Sequence, residues 1–186
     1  MTKKSCILSL ILLSSLTRLP GLKVPNEVIF DEVHYGKFVN AYTATGEYFF
    51  DVHPPWGKLI PAALLKLTGY SGGQSFERIG LPYDQASSLA VRLYPAVVGV
   101  VCPILAFLIL VDFGVAVSIA FFIGLVFTFD NGLILQSRLL LLYGPLLFWQ
   151  LMTVWVGVKA FERPQNWRWG LLTGLSMGMS AGTQFP

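Results

Sequence analysis

Apolar residues in this chain come in long, nearly unbroken runs separated by short polar stretches. That is the pattern of helices that face lipid or one another on most sides. Behind Lys3 and Lys4 lies Ser5–Thr17, which extends to Leu22 if Arg18 snorkels to an interface. No small-x-small cleavage site follows it, so it reads as a signal anchor. Four further runs, Leu93–Val111, Phe113–Phe129, Leu146–Phe161 and Trp169–Phe185, have 16 to 19 residues each. With interfacial residues added, each is long enough for a bilayer core of roughly 30 Å at about 1.5 Å per residue. The pattern predicts five spans. Gly174, Gly178 and Gly182 recur every fourth residue, which predicts a closely packed helix face.

The stretch between the first and second runs has a different texture. From Trp56, the residues Trp56, Ile60, Ala63, Leu64 and Leu67 share one helical face, with Lys58 and Lys66 outside it. Such a helix lies on a bilayer surface. The chain thus divides into an anchor span (1–22), an outer loop with an amphipathic helix (23–86) and a four-span membrane region (87–186).

Composition narrows the class. Residues of the AVILMFWYC set make up 54% and charged residues only 12%, against about 25% charged in soluble domains. A water-facing surface and a disordered chain are both excluded. Cys6 and Cys102 sit in apolar runs and give neither metal spacing nor a disulfide framework. The net charge is +3 with no Lys/Arg block, so no nucleic-acid partner is expected. This is an all-α integral membrane protein.

Charge asymmetry sets the orientation. Lys3 and Lys4 place the N-terminus inside. Lys23–Asp84 holds seven acids and five bases, net −2, and fits an outside loop. Lys159–Arg168 carries +2 and fits the inside. Arg92, Asp130, Asn131, Gln136, Arg138, His34 and His53 then gather at the outer face. Because charges cluster at one face and not along a path through the bilayer, a transporter is the weakest reading.

Two strings in the outer loop carry candidate chemistry. Asp31 and Glu32 are adjacent carboxylates beside a low-dielectric region, where like charges favour a general base working near neutral pH. Asp31 is equally placed to cap the helix that follows, and both readings stand at this point. Asp51 and His53, two apart and followed by Pro54-Pro55, form a rigid polar corner or a loop terminus tied by Asp51. Arg92 and Arg138 at the outer interface suit a phosphate, or else snorkel. Carboxylates for a hydroxyl, arginines for a phosphate and a membrane flank together suit group transfer from a lipid phosphate to a hydroxyl acceptor.

The strings FDEVHYGKFVNAY and GEYFFDVHPPWGKL resemble the N-terminal part of the protein O-mannosyltransferase family, and VRLYPAVVG, DNGLILQSRLLLL and WRWGLLTGLSMGMSAGT extend the match. It covers nearly the whole chain from about Thr17. The resemblance implies a multi-pass GT-C-type helical bundle that transfers mannose from dolichyl- or polyprenyl-phosphate to Ser or Thr of an acceptor protein, with inversion. It carries the catalytic acid pair onto Asp31 and Glu32, the loop Asp-x-His onto Asp51 and His53, and the phosphate-region arginines onto Arg92 and Arg138. It implies no cofactor beyond the lipid-linked donor and no metal, since the phosphate would have arginine partners. A membrane partner subunit is possible, in the plasma membrane of a prokaryote or the endoplasmic reticulum membrane of a eukaryote.

The sequence departs from the family pattern in two places. Tyr143 stands where an Asp is usual, and Gln184-Phe185 stands where a Lys-Trp pair is usual. Family members are considerably longer, which implies a truncated product or a fragment. The alternatives are therefore a non-catalytic membrane relative, or a lipid-linked sugar transferase with another sugar or acceptor.

Overall fold

The computed structural model describes residues 2–46, 50–83 and 85–184, with backbone alone for 85–87. Glu47, Tyr48, Phe49, Asp84 and Phe185, named in the loop and C-terminal readings, lie outside the described residues. Among the described residues there are eight helices: α1 (Lys3–Arg18), α2 (Glu32–Ala44), α3 (Trp56–Leu67), α4 (Gln85–Asp112), α5 (Val117–Phe129), α6 (Asn131–Arg138), α7 (Tyr143–Glu162) and α8 (Trp167–Thr183). An isolated antiparallel bridge between Glu27 and Pro82 closes the outer loop on itself.

Helix α4 is the central post; α1, α3, α5, α6 and α7 all pack against it, and α8 packs on α7. Small residues let the helices approach closely. A Cβ at Gly99 of α4 would lie 2.3 Å from Ser137 Cβ of α6, and one at Gly124 of α5 would lie 2.9 Å from Leu10 Cδ1 of α1. Pro95 and Pro103 sit inside α4, tolerated because neighbouring helices cover the backbone they interrupt.

Among the described residues one helix is long and apolar enough to cross a membrane, over Ser88–Asp112, and the α5–α6 pair qualifies as a second if its 55° bend is counted as one span. The five apolar runs do correspond to α1, α4, α5, α7 and α8. Segment 131–138, read from sequence as a connection, is the helix α6. Charged groups collect at opposite ends of α4. At its C-terminus Asp112 meets Lys159 at 2.8 Å and Lys3 at 3.7 Å, while Arg92 lies towards its N-terminus against Glu32.

Three expectations need correction. Arg18 does not snorkel: it is 1% exposed and donates to the carbonyls of Phe127 and Thr128, so it caps the C-terminus of α5. Lys58 is not on an outer face: α3 buries Gly57, Lys58, Pro61, Ala62 and Leu65, and turns Ala63 and Leu67 outward. Of the three spaced glycines only Gly182 is closely approached, by Trp56 Cβ at 3.3 Å from the position a Cβ would take; Gly174 and Gly178 face open space.

The outer loop has its own core, built from Val28, Tyr35, Val39, Leu65, Phe76 and Tyr83 together with Leu139–Leu142. Its tightest point is Gly36, where an added Cβ would fall 2.0 Å from the Phe76 ring. Gly36→Ala is expected to cost about 1–3 kcal/mol through overpacking. The check is the thermal midpoint in nanodiscs, and an unchanged midpoint would show that Phe76 yields freely.

Candidate functional site

The site begins at a strained residue. Phe30 has φ +51°, a left-handed conformation that a bulky side chain adopts only when its surroundings impose it. This turn starts α2 and separates its two carboxylates. Asp31 occupies the N-cap position, yet its side chain makes no capping hydrogen bond. Its carboxylate is half-buried and at the surface of the site. The capping reading therefore loses its geometric basis.

Glu32 points the other way and is 0% exposed. Its Oε1 accepts from Arg92 Nε at 2.8 Å and from Leu140 N at 3.0 Å; its Oε2 accepts from Arg92 Nη2 at 2.7 Å and from Ile29 N at 3.1 Å. Arg92, also 0% exposed, completes its set with Leu22 O at 3.1 Å, Pro25 O at 2.8 Å and Glu27 O at 3.0 Å. A guanidinium has five N–H donors, and all five are used inside the chain. Tyr83 lies over its face, with the ring centroid 5.0 Å away. The pairing of Arg92 with a phosphate, expected from sequence, is thus not the arrangement found. Its charge is spent on Glu32, and the pair locks α2, α4 and the segment before α7 together.

Arg138 is likewise engaged, at the far end of α1. Its Nη1 donates to Thr17 O, Arg18 O and Pro20 O at 3.3, 3.2 and 2.8 Å, and its Nη2 donates to Gly21 O at 3.0 Å. It serves the orphan carbonyls of a helix C-terminus, but unlike Arg92 it is only half-buried. Asp130 caps α6 by accepting from Leu133 N at 2.8 Å.

The second loop string forms a corner around Lys58. Lys58 is 0% exposed. Its Nζ donates to Asp51 Oδ2 and, at 3.0 Å, to His53 O, and lies 4.5 Å from the Phe38 ring centroid. Burial works against the charged form of Asp51, but the Lys58 ammonium and the His53 backbone outweigh it and hold the carboxyl below its ordinary value. Two buried nitrogens at this corner, His53 Nδ1 and Trp56 Nε1, have no partner among the described residues.

Tyr35 joins the two strings. Its phenol is pushed up to about 12, first by burial and then by Tyr143, Asp31 and Asp51. Those three groups therefore all act electrostatically on one buried side chain. Tyr143, the first residue of α7, is 41% exposed. Leu142 just before it packs against Gly57, where an added Cβ would lie 2.7 Å from Leu142 Cδ2. Asp31, Asp51 and Tyr143 thus bear on the same phenol, Glu32 and Arg92 form a buried locked pair, and Arg138 lies at the end of α1. Among the described residues no three His, Cys, Asp or Glu side chains group as metal ligands.

Lys58 and Tyr35 are site residues that sequence reasoning passed over. Lys58 left one signal, a cation two positions beyond Trp56 at the start of an amphipathic helix. Because the Asp51 carboxyl is lower folded than unfolded, its stabilisation is complete above the unfolded value of about 4 and is lost as pH falls through the folded value. In Lys58→Met the burial effect is opposed by His53 alone. The acid-side fall of the thermal midpoint is expected to shrink, and an identical fall in both proteins would show that Lys58 does not set the Asp51 carboxyl.

Comparison with known proteins follows this geometry. Residues 8–186 match the family model described as dolichyl-phosphate-mannose-protein mannosyltransferase. A dolichyl-phosphate-mannose–protein mannosyltransferase 4 of Schizosaccharomyces pombe is 35% identical over 182 residues, covering 93% of this chain and 23% of that protein. A protein O-mannosyl-transferase 1 of Danio rerio is 32% identical, covering 96% of this chain and 25% of that one. The solved structure of the Saccharomyces cerevisiae protein O-mannosyltransferase Pmt1–Pmt2 complex bound to the sugar donor matches with a TM-score of 0.92 at 32% identity, over 99% of this chain and 26% of that one. The chain spans about a quarter of the length of the curated relatives it matches.

Proposed function

The chain belongs to the dolichyl-phosphate-mannose–protein mannosyltransferase family, and from that premise we propose that it supplies the catalytic-loop portion of an inverting transferase. The reaction moves mannose from a dolichyl- or polyprenyl-phosphate donor to a Ser or Thr hydroxyl of a protein. One observation carries this reading: Asp31 sits at a helix N-cap without capping it, half-buried, on a backbone strained at Phe30. A carboxylate held there without a capping bond is available to accept a proton.

In the proposed step the acceptor oxygen attacks the anomeric carbon while its proton passes to Asp31. The bond from that carbon to the phosphate oxygen breaks, and the electron pair leaves with the lipid phosphate. Asp51 and His53 shape the acceptor side, with Lys58 fixing their corner. Arg92 acts as a positioning residue through Glu32. The phosphate role passes to Arg138, whose half-buried guanidinium is the one of the two arginines that reaches the surface. Electrostatic stabilisation of the departing phosphate supplies the catalytic push.

We further propose the five-span arrangement, with the loop domain 23–86 on the outer face and the first anchor at 1–22. The gathering of Lys3, Asp112 and Lys159 at one end of α4 supports it. A partner subunit is proposed too, since the solved relative is a two-protein complex. The test grafts residues 8–186 onto the remaining three-quarters of the fission yeast relative. Mannose transfer from labelled dolichyl-phosphate mannose to a Ser/Thr peptide is the expected result. A folded but inactive chimaera would favour the non-catalytic alternative.

A further inference from the structure

We propose that Arg18 holds one buried water molecule, and that this hydrated guanidinium fixes the break between α5 and α6. The inference is independent of the proposed function. Arg18 is 1% exposed. Its Nη1 donates to Thr17 Oγ1 at 2.8 Å and Thr128 O at 3.0 Å, and its Nη2 donates to Phe127 O at 3.0 Å. Its Nε is buried and has no partner among the described residues. In a helical membrane bundle such a donor is expensive to leave unpaired.

Beside Arg18 lies a void with about 10 Å³ of room for the centre of a water molecule, lined by Gly99, Cys102, Gln136 and Ser137 among others. That is the room one water needs, with polar partners on several sides. A phosphate or a lipid headgroup is far larger. Gly99 keeps the space open, because a Cβ there would lie 2.3 Å from Ser137 Cβ and 3.4 Å from Arg18 Cδ. Ser137 Oγ donates to Ile134 O at 2.9 Å, which leaves its lone pairs to accept. Water at this point accepts from Arg18 Nε and donates to Ser137 Oγ.

The placement gives the water a task. Arg18 grips the last carbonyls of α5, whereas Ser137 and Gln136 belong to α6, beyond the 55° bend. The bridge therefore joins both arms of the break through a group on α1. Kinks have identifiable causes, and an inserted water is one of them. Arg138, next to Ser137, takes its direction from the same arm.

The experiment uses the whole chain, labelled with ¹⁵N-arginine, in nanodiscs. The Nε–H signal of Arg18, assigned by its loss in Arg18→Lys, is read for transfer of magnetisation from water. A cross-peak is expected, with exchange slower by roughly tenfold or more than at the exposed Arg163 and Arg168. Ser137→Val fills the void and should abolish the cross-peak in the folded protein. A missing cross-peak in the unmodified chain would overturn the proposal, as would one that survives in folded Ser137→Val. An Nε–H shift that tracks chloride concentration would also overturn it, by assigning the site to an anion.

Discussion

Arg92→Ala is expected to cost about 3–5 kcal/mol, because it leaves a buried carboxylate without its counter-charge. Domains are stable by only about 5–15 kcal/mol, so little folded protein should survive extraction into detergent. The loss is severe for a specific reason. Glu32 is fully buried and takes four donors, two of them from Arg92. Arg92 in turn holds the carbonyls of Leu22, Pro25 and Glu27. One substitution therefore unties the entry to the loop, the start of α2 and the approach to α7 together. Arg92→Lys should recover only part of the stability, since a point charge replaces a two-pronged contact. The measurement is the monodisperse fraction and thermal midpoint of each variant. If Arg92→Ala melted like the parent and merely bound a polyprenyl-phosphate sugar less tightly, the guanidinium would serve the ligand instead.

Asp31→Asn should behave in the opposite manner, with a stable protein and a large kinetic loss. The side chain makes no capping bond, and Asn suits an N-cap about as well as Asp, so the stability should stay within about 0.5 kcal/mol of the parent. As the proposed base, Asp31 should nevertheless take roughly 10²–10⁴-fold of the transfer rate with it. The natural vehicle is the chimaera with the fission yeast relative, assayed with saturating donor. Full transfer by the Asn variant would reduce the acid pair to architecture. A matching loss of rate and of folded protein would say the same.

The sequence made the helices plain wherever an unbroken apolar run met a charged end, as at Lys3–Lys4 opening α1 or Asp112 closing α4. It concealed α6, because Asn131, Gln136, Ser137 and Arg138 dilute the apolar pattern with groups suited to a loop. The adjacency of Asp31 and Glu32 was visible, but not their opposite fates. Those depend on the left-handed turn at Phe30 and on Arg92, which lies 60 residues from Glu32. No local periodicity reports a partner at that distance. Arg92 and Arg138 look alike in sequence as interfacial cations, and only the tertiary structure, with the Glu32 carboxylate against one and backbone carbonyls alone against the other, separates a fully enclosed guanidinium from a half-exposed one. Lys58 misled for a related reason: a cation in an amphipathic helix is read as solvated, and here Asp51 and the Phe38 ring take the place of water.

The ion cluster at the far end of α4 bears on how the chain is assembled. Asp112 is bound by Lys159 and Lys3 and accepts from Trp155 Nε1 at 3.1 Å. Trp155 and Lys159 both lie on α7, Trp155 43 residues further along the chain, so Asp112 has its full set of partners only with α7 packed against α4. The aspartate thus ties the first helix, the central post and α7 at one point, so that end of the bundle is a three-helix knot rather than a pairwise contact.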